Sequence, residues 1–286
     1  MYTSLISTDE LARQLSDPAL VLVDCRHNLS DVDAGQRAYG ASHLPGARFM
    51  HMDRDLSGER TGTNGRHPLP AVDTMAATFA RLGIGDRTQV IAYDQDAGAF
   101  ASRLWWMLRY LGHEAVAVLD GGFARWTREA RAVRGGDDAR APATFTPHPR
   151  GDMRVMADEV VARLGDPSMR LIDARSPQRF AGEPDPLDTV YGHIPHARNR
   201  HYRDNVAADG TMRQAGELKA EFERVLGERS ANEAVMYCGS GITACYNLLA
   251  MEHAGLKGAK LFAGSWSEWE ADPERPVERG AKGDGC

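Results

Sequence analysis

Apolar residues in this chain come in short unbroken runs separated by amphipathic stretches. Leu20 to Val23, Val90 to Tyr93 and Val116 to Leu119 are apolar at every position. A half-buried strand would alternate, so these runs predict strands covered on both faces, as in a parallel sheet. Helical patterning fills the intervals at Thr74 to Leu82, Arg103 to Leu111 and Phe123 to Trp126. Ahead of the first strand, Ser7 with Glu10 three residues on is a capping-box signature, predicting a helix that ends near Asp17 and Pro18. The later half repeats the alternation, with a helix at Asp158 to Leu164, strands at Leu171 to Ile172 and Val235 to Tyr237, and a helix at Ala244 to Ala254. Strand and helix in turn imply an α/β fold, an open parallel sheet with helices on both faces. Ligands of such sheets bind beyond the carboxyl ends of the strands, so the loops after Tyr93 and Tyr237 are the places to look.

The recurrence is an internal repeat. At an offset of 149, residues 9–26 show eight identities in eighteen positions, among them Asp17 with Asp166, Pro18 with Pro167, Asp24 with Asp173 and Arg26 with Arg175. Ordinary residue frequencies would supply about one. With small shifts the match continues through His43 and His193, each followed by an aliphatic residue and proline, then Tyr93 with Tyr237 and Trp126 with Trp269. The chain is therefore read as two domains of the same build, 1–140 and 153–286, joined by a linker at 141–152 that is rich in proline and lacks apolar periodicity.

Composition narrows the function classes. Over 286 residues, 40 acidic and 34 basic side chains leave a net charge of −6, spread along the chain. Nucleic-acid binding would require a clustered basic footprint, so no nucleic-acid partner is expected. Neither a membrane span nor a secretory leader is visible, which predicts a cytoplasmic protein with no membrane partner. Four cysteines, Cys25, Cys238, Cys245 and Cys286, make no disulfide framework and no zinc-ligand spacing, so no metal is expected. Any cysteine of interest is then of interest for its reactivity.

Cys238 is that cysteine. It follows the strand ending at Tyr237 and opens the loop Cys238, Gly239, Ser240, Gly241, Ile242 and Thr243, behind which a helix begins. The glycines allow the backbone to curl, turning the amides of residues 239–243 inward as an anion-binding nest, and the helix start adds positive potential. Both favour a thiolate, making Cys238 the expected nucleophile. Cys245 and Cys25 read as buried packing residues, and Cys286 as an exposed tail residue. In the first half, Asp94 occupies the position of the nucleophile. That half is expected to be catalytically silent and to close one wall of a cleft over Cys238. A cysteine-dependent phosphatase would place an arginine six residues after the cysteine to clamp a phosphoryl group; Ala244 stands there.

These residues together resemble the rhodanese superfamily of sulfurtransferases. The likeness spans nearly the whole chain: the tandem halves, the stretch Gly192 to Pro195, the segment Gly264 to Trp269 and the six-residue loop at Cys238. It implies two tandem rhodanese-like domains, the second catalytic, and sulfur transfer through a persulfide on Cys238. A small anionic sulfur donor and a thiol or cyanide acceptor follow, with a thioredoxin-like protein as one candidate source of the thiol, and no cofactor is expected. Members that act on 3-mercaptopyruvate carry Cys-Gly-Ser-Gly-Val-Thr, one residue different from this loop, whereas members that act on thiosulfate usually carry basic residues there. The resemblance thus favours mercaptopyruvate, with thiosulfate transfer or a persulfide-carrier role as alternatives. Ser240 could then donate a hydrogen bond to a carbonyl oxygen that turns enolate-like as sulfur leaves. Such members hold the donor carboxylate with two arginines. Arg179 matches the first and Leu187 stands in place of the second, with Arg198 or Arg200 as candidates to help. His43 and Asp33 lie in the region that supplies a proton relay in that group, although His193 is a counterpart to His43 and leaves a fold-supporting role open.

Overall fold

In the computed structural model, which describes residues 1–280, the capping box at Ser7 forms as expected. The Ser7 hydroxyl accepts the Glu10 amide at 3.2 Å and the Glu10 carboxylate accepts the Ser7 amide at 3.0 Å. In the second half Met156 holds that place, and only the Glu159 carboxylate, on the Met156 amide at 2.8 Å, has a counterpart. Both helices are shorter than the pattern predicts, the first ending at Ala12. The chain then turns on Asp17, whose carboxylate takes the Ala19 amide at 2.8 Å, as Asp166 takes that of Ser168 at 2.8 Å. A side chain that satisfies the backbone two residues on competes with helix, which ends it early.

The first half comprises β1 (Leu5–Ile6), α1 (Thr8–Ala12), β2 (Leu20–Asp24), α2 (Ala34–Ala41), β3 (Ala47–Phe49), α3 (Val72–Arg81), β4 (Gln89–Tyr93), α4 (Ala101–Tyr110), β5 (Val116–Leu119) and α5 (Gly122–Arg128). Its five strands are parallel in the order β1-β5-β4-β2-β3. The second half repeats this with β6 (Arg154–Val155), α6 (Ala157–Ala162), β7 (Arg170–Asp173), α7 (Pro177–Ala181), β8 (Arg198–Asn199), α8 (Ala215–Leu226), β9 (Ala234–Tyr237), α9 (Thr243–His253), β10 (Lys260–Phe262) and α10 (Ser265–Trp269). Its sheet is again parallel, in the order β6-β10-β9-β7-β8. Both are α/β sheets, as the apolar runs predict.

Every residue of β2, β5, β7 and β9 is buried. Successive strand residues point to opposite faces, so this burial means both faces are covered. In the first half Leu20, Leu22, Ile91 and Leu119 pack with Tyr39 and Trp126; in the second, Leu171, Val235 and Phe262 pack with Phe180, Trp266 and Trp269. The repeated Asp and Arg of the offset match are a buried ion pair. Arg26 binds Asp24 at 2.6 Å and the Ser42 carbonyl at 2.6 Å, and Arg175 binds Asp173 at 2.7 Å and the Gly192 carbonyl at 2.7 Å. Each pair ties a strand end to the loop that precedes the histidine. Removing one partner would strand a buried charge at a cost of about 3–5 kcal/mol.

By contacts the chain divides into two units, and the division differs from the one read from sequence. The first comprises Met1–Gly58, Pro70–Arg150 and Ala207–Met212; the second comprises Glu59–Leu69, Gly151–Val206 and the chain from Arg213 onward. Most of the expected linker at 141–152 is laid on the first unit. Phe145 is buried against Phe79, and the amides of Ala143, His148 and Arg150 donate to the carbonyls of Ala80, Leu111 and Tyr110. Proline removes donors and helical periodicity without preventing a chain from lying as an extended strap. Among the described residues no helix is long and apolar enough to cross a membrane.

Candidate active site

The loop after β9 is shaped by two features that its sequence pattern implies. Gly241 has φ +77°, and a Cβ there would lie 2.1 Å from the Ala263 carbonyl oxygen, so only glycine fits. The turn it makes brings its own amide back to the cysteine: Gly241 N–H donates to Cys238 Sγ at 3.1 Å. The first turn of α10 holds the other side of the loop. Trp266 N–H donates to the Cys238 carbonyl at 3.0 Å and Ser267 N–H to that of Gly239 at 2.9 Å. Ser265 adopts φ +55°, unusual for a residue with a side chain, and its hydroxyl bridges the Cys238 amide (3.1 Å) and the Phe262 carbonyl (3.0 Å). Cys238 is 2% exposed.

The equivalent loop of the first half reveals what such a turn binds. Asp94, in the position of Cys238, is buried, and its carboxylate accepts four backbone N–H groups: Asp96 (3.1 Å), Gly98 (2.9 Å), Phe100 (2.7 Å) and Ala101 (3.1 Å). Burial pushes the Asp94 carboxyl above its ordinary value, and the four N–H bonds pull the other way. Phe123 and Ala124 N–H repeat the contacts of Trp266 and Ser267, on the carbonyls of Asp94 and Gln95. The loop backbone is thus held in the same way in both halves, with four amides on Asp94 in the first and the Gly241 amide on Cys238 Sγ in the second.

Ser240 is joined to a residue that sequence reasoning missed. Its Oγ lies 2.8 Å from His67 Nδ1, a hydrogen bond between positions 173 apart in the chain. Both side chains are buried. A second residue, Arg66, arrives with it. Arg66 N–H donates to Ser267 Oγ at 2.9 Å, its Nη2 donates to the Gly239 carbonyl at 3.3 Å, and its Nη1 donates to the Leu187 carbonyl and lies 3.4 Å from Glu270 Oε1. Arg66 and His67 come from the long connection 50–71 between β3 and α3, which belongs in part to the second unit. Its length without regular structure was the one available signal, since loops of that size in compact domains are commonly functional.

Arg179, on α7, is held as a fork: its Nε and Nη2 donate to Asp188 at 2.9 and 2.5 Å. Asp188 also takes Arg175 Nη1 at 3.2 Å and lies 3.6 Å from Arg66 Nη2. Leu187 is 36% exposed, and what it offers the network is its carbonyl. Arg198 donates to the carbonyls of Arg224 and Val225, and Arg200 to the Glu221 carboxylate, so both candidate helpers are committed elsewhere.

His43 and Asp33 belong to other arrangements. His43 is fully buried, with Nδ1 2.8 Å from the Tyr39 carbonyl, Nε2 3.2 Å from Asp138 and its ring stacked on Tyr39 at 4.0 Å. His193 repeats this with the Phe180 carbonyl at 2.7 Å and the Phe180 ring at 3.7 Å. The Nδ1 contact to a backbone carbonyl and the ring stacking recur in both halves, while His193 Nε2 has no hydrogen-bond partner among the described residues and lies 3.9 Å from Glu278; the shared packing is the fold-supporting role that the repeat left open for His43. Asp33 is half-buried, accepts Arg54 Nη2 at 2.6 Å and lies 3.6 Å from His51 Nε2. Cys25 and Cys245 are buried, and the Cys25 thiol is pushed well up by burial, then by Asp24, Asp94 and Asp55. Cys286 lies outside the described residues.

Comparison with known proteins follows the same lines. The Rhodanese-like domain family matches residues 7–129 and 156–272. A Pseudomonas aeruginosa protein described as "Probable 3-mercaptopyruvate sulfurtransferase" is 42% identical over 278 residues, covering 96% of this chain and 98% of its own. Mouse thiosulfate sulfurtransferase is 31% identical over 294 residues, covering 99% and 98%. Among solved structures, the 3-mercaptopyruvate sulfurtransferase of Leishmania major superposes with a TM-score of 0.84 at 31% identity, over 93% of this chain and 74% of that one.

Proposed function

Since the chain belongs to the rhodanese family and is a sulfurtransferase, we propose that it takes sulfur from 3-mercaptopyruvate onto Cys238 and passes it to a thiol or to cyanide. One observation supports this reading: the loop whose amides converge on the Asp94 carboxylate in one half has, in the other, a sulfur atom at that position with the Gly241 amide turned onto it. Backbone amides that hold a carboxylate will also stabilise a thiolate and the persulfide anion that replaces it.

The transfer is a double displacement. The Cys238 thiolate attacks the donor sulfur, and the sulfur–carbon bond breaks with its electron pair passing to carbon as the enolate of pyruvate. Ser240 donates its hydroxyl to the enolate oxygen. The proton released by the donor thiol returns to the carbon through Ser240 and His67, whose 2.8 Å contact lets a proton move between them. Pyruvate leaves, and Cys238 carries the persulfide. A thiolate, such as that of a thioredoxin-like protein, or cyanide then attacks the outer sulfur, and the S–S electron pair returns to Cys238. The low exposure of Cys238 suits a compact donor. The loop has no charged side chain from 239 to 243, which suits a donor with one negative charge better than thiosulfate with two.

The test is mass spectrometry and turnover on the wild type and Cys238→Ser. With mercaptopyruvate the wild type should gain the mass of one sulfur atom, removed by cyanide as thiocyanate, and Cys238→Ser should neither gain it nor turn over. Retained turnover in that variant sinks the mechanism. A tenfold or greater wild-type preference for thiosulfate in kcat/KM, about 1.4 kcal/mol in transition-state free energy, sinks the choice of donor.

A further inference from the structure

We propose that Arg66 is the second guanidinium of the donor site, supplied by the β3–α3 connection in place of the side chain that position 187 does not provide. The inference rests on the reading of mercaptopyruvate as donor and of Arg179 as an anchor for its carboxylate.

Three observations meet at Gly239. A side chain placed on that glycine would begin 3.0 Å from Arg66 Nη2, 3.1 Å from Arg179 Nη2 and 3.5 Å from Arg179 Nη1. Two guanidinium groups therefore border the same residue, next to the nucleophile. Secondly, the carboxylates that neutralise them hold them by part of their edge. Asp188 takes Nε and Nη2 of Arg179, leaving Nη1 without a hydrogen-bond acceptor among the described residues. Glu270 gives one oxygen to the amides of Thr189 and Val190 (2.9 and 3.0 Å) and faces Arg66 Nη1 with the other at 3.4 Å. Among the described residues, Arg66 Nη2 has the long contact to the Gly239 carbonyl at 3.3 Å and Asp188 at 3.6 Å. Thirdly, Arg66 docks on the backbone of Leu187 itself, through its carbonyl. The charge missing from that side chain is restored at the same backbone position by a residue 121 places away in sequence.

A guanidinium presents paired N–H donors that match a carboxylate, so two of them at one glycine form a fork for a small carboxylate whose sulfur end points to Cys238. Asp188 is the positioning residue of this fork, since it touches both arginines.

The experiment compares 3-mercaptopyruvate with mercaptoacetone, which keeps the thiol and ketone and lacks the carboxylate. In Arg66→Gln the ratio of kcat/KM for mercaptopyruvate to that for mercaptoacetone should fall about 30-fold, mostly through KM, as loss of a charge-assisted contact predicts. Arg66→Lys should recover part of the ratio, and Leu187→Arg added to Arg66→Gln should recover it further by returning a guanidinium to the same place. A ratio unchanged within twofold, with both donors slowed alike, would mean that Arg66 only braces the loop, and would overturn the proposal. Wild-type preference for thiosulfate would refute the donor assignment alone, because the two-donor ratio still reports on Arg66 however slow mercaptopyruvate turnover is.

Discussion

At the scale of single residues, the proposed chemistry turns on Ser240 and His67 acting as one device. Ser240 belongs to a motif visible in the sequence, and His67 does not. If they relay one proton, Ser240→Ala and His67→Gln should each lower kcat with mercaptopyruvate by about 10²-fold, the usual worth of a positioned acid or base. The double variant should be no slower than the worse single one, because either loss breaks the same path. Steady-state kinetics of the three variants would measure this, and additive losses would separate the two roles. The sequence marked Cys238 and its loop as the candidate site because glycine, a helix start and a buried strand end are written side by side, whereas Arg179 was named only through the family resemblance. For His43 the sequence left two roles open, and its packing against Tyr39, which recurs with His193 and Phe180, fits the fold-supporting one.

At the scale of elements, the loops after β4 and β9 are one construction put to two uses. In the first half Asp94 satisfies four amides, of which those of the buried Gly98 and Ala101 would otherwise be left without acceptors. Asp94→Ala should therefore destabilise the protein by about 3 kcal/mol or more, through unpaired buried N–H groups, while Asp94→Asn, retaining one acceptor oxygen, should cost less. Urea denaturation midpoints would give the order. Equal stability of all three proteins would contradict the view that this loop needs an anion. Element type was readable from the unbroken apolar runs, and strand limits agree within one residue at β2, β4 and β5. The Gly-rich α2 was not read, since Gly35 and Gly40 weaken any helical pattern. Gly35 is required there by close approach, as a Cβ would meet the Arg26 carbonyl at 1.8 Å.

At the scale of the whole molecule, the repeat and the contact units do not coincide. Glu59–Leu69 is counted with the second unit and Ala207–Met212 with the first, and these are the equivalent connections between third strand and following helix in each half. A fragment containing only 153–286 keeps the second sheet and Cys238 but lacks Arg66 and His67. It should retain α/β circular dichroism and lose at least about 10²-fold in mercaptopyruvate turnover, in line with the loss of a proton-relay residue. Full-rate turnover by a folded fragment would show that the β3–α3 connection contributes nothing to the chemistry.

By itself the sequence determined the two α/β halves, their parallel sheets and the curled loop at Cys238, because periodicity, glycine placement and the repeat are local or regular signals along the chain. Only the tertiary structure decided what meets that loop. Arg66 and His67 approach it from 173 positions away, in a connection with no periodic pattern. A contact between segments so far apart leaves no mark on the composition or spacing of either, and exists only once both halves of the chain have folded around it.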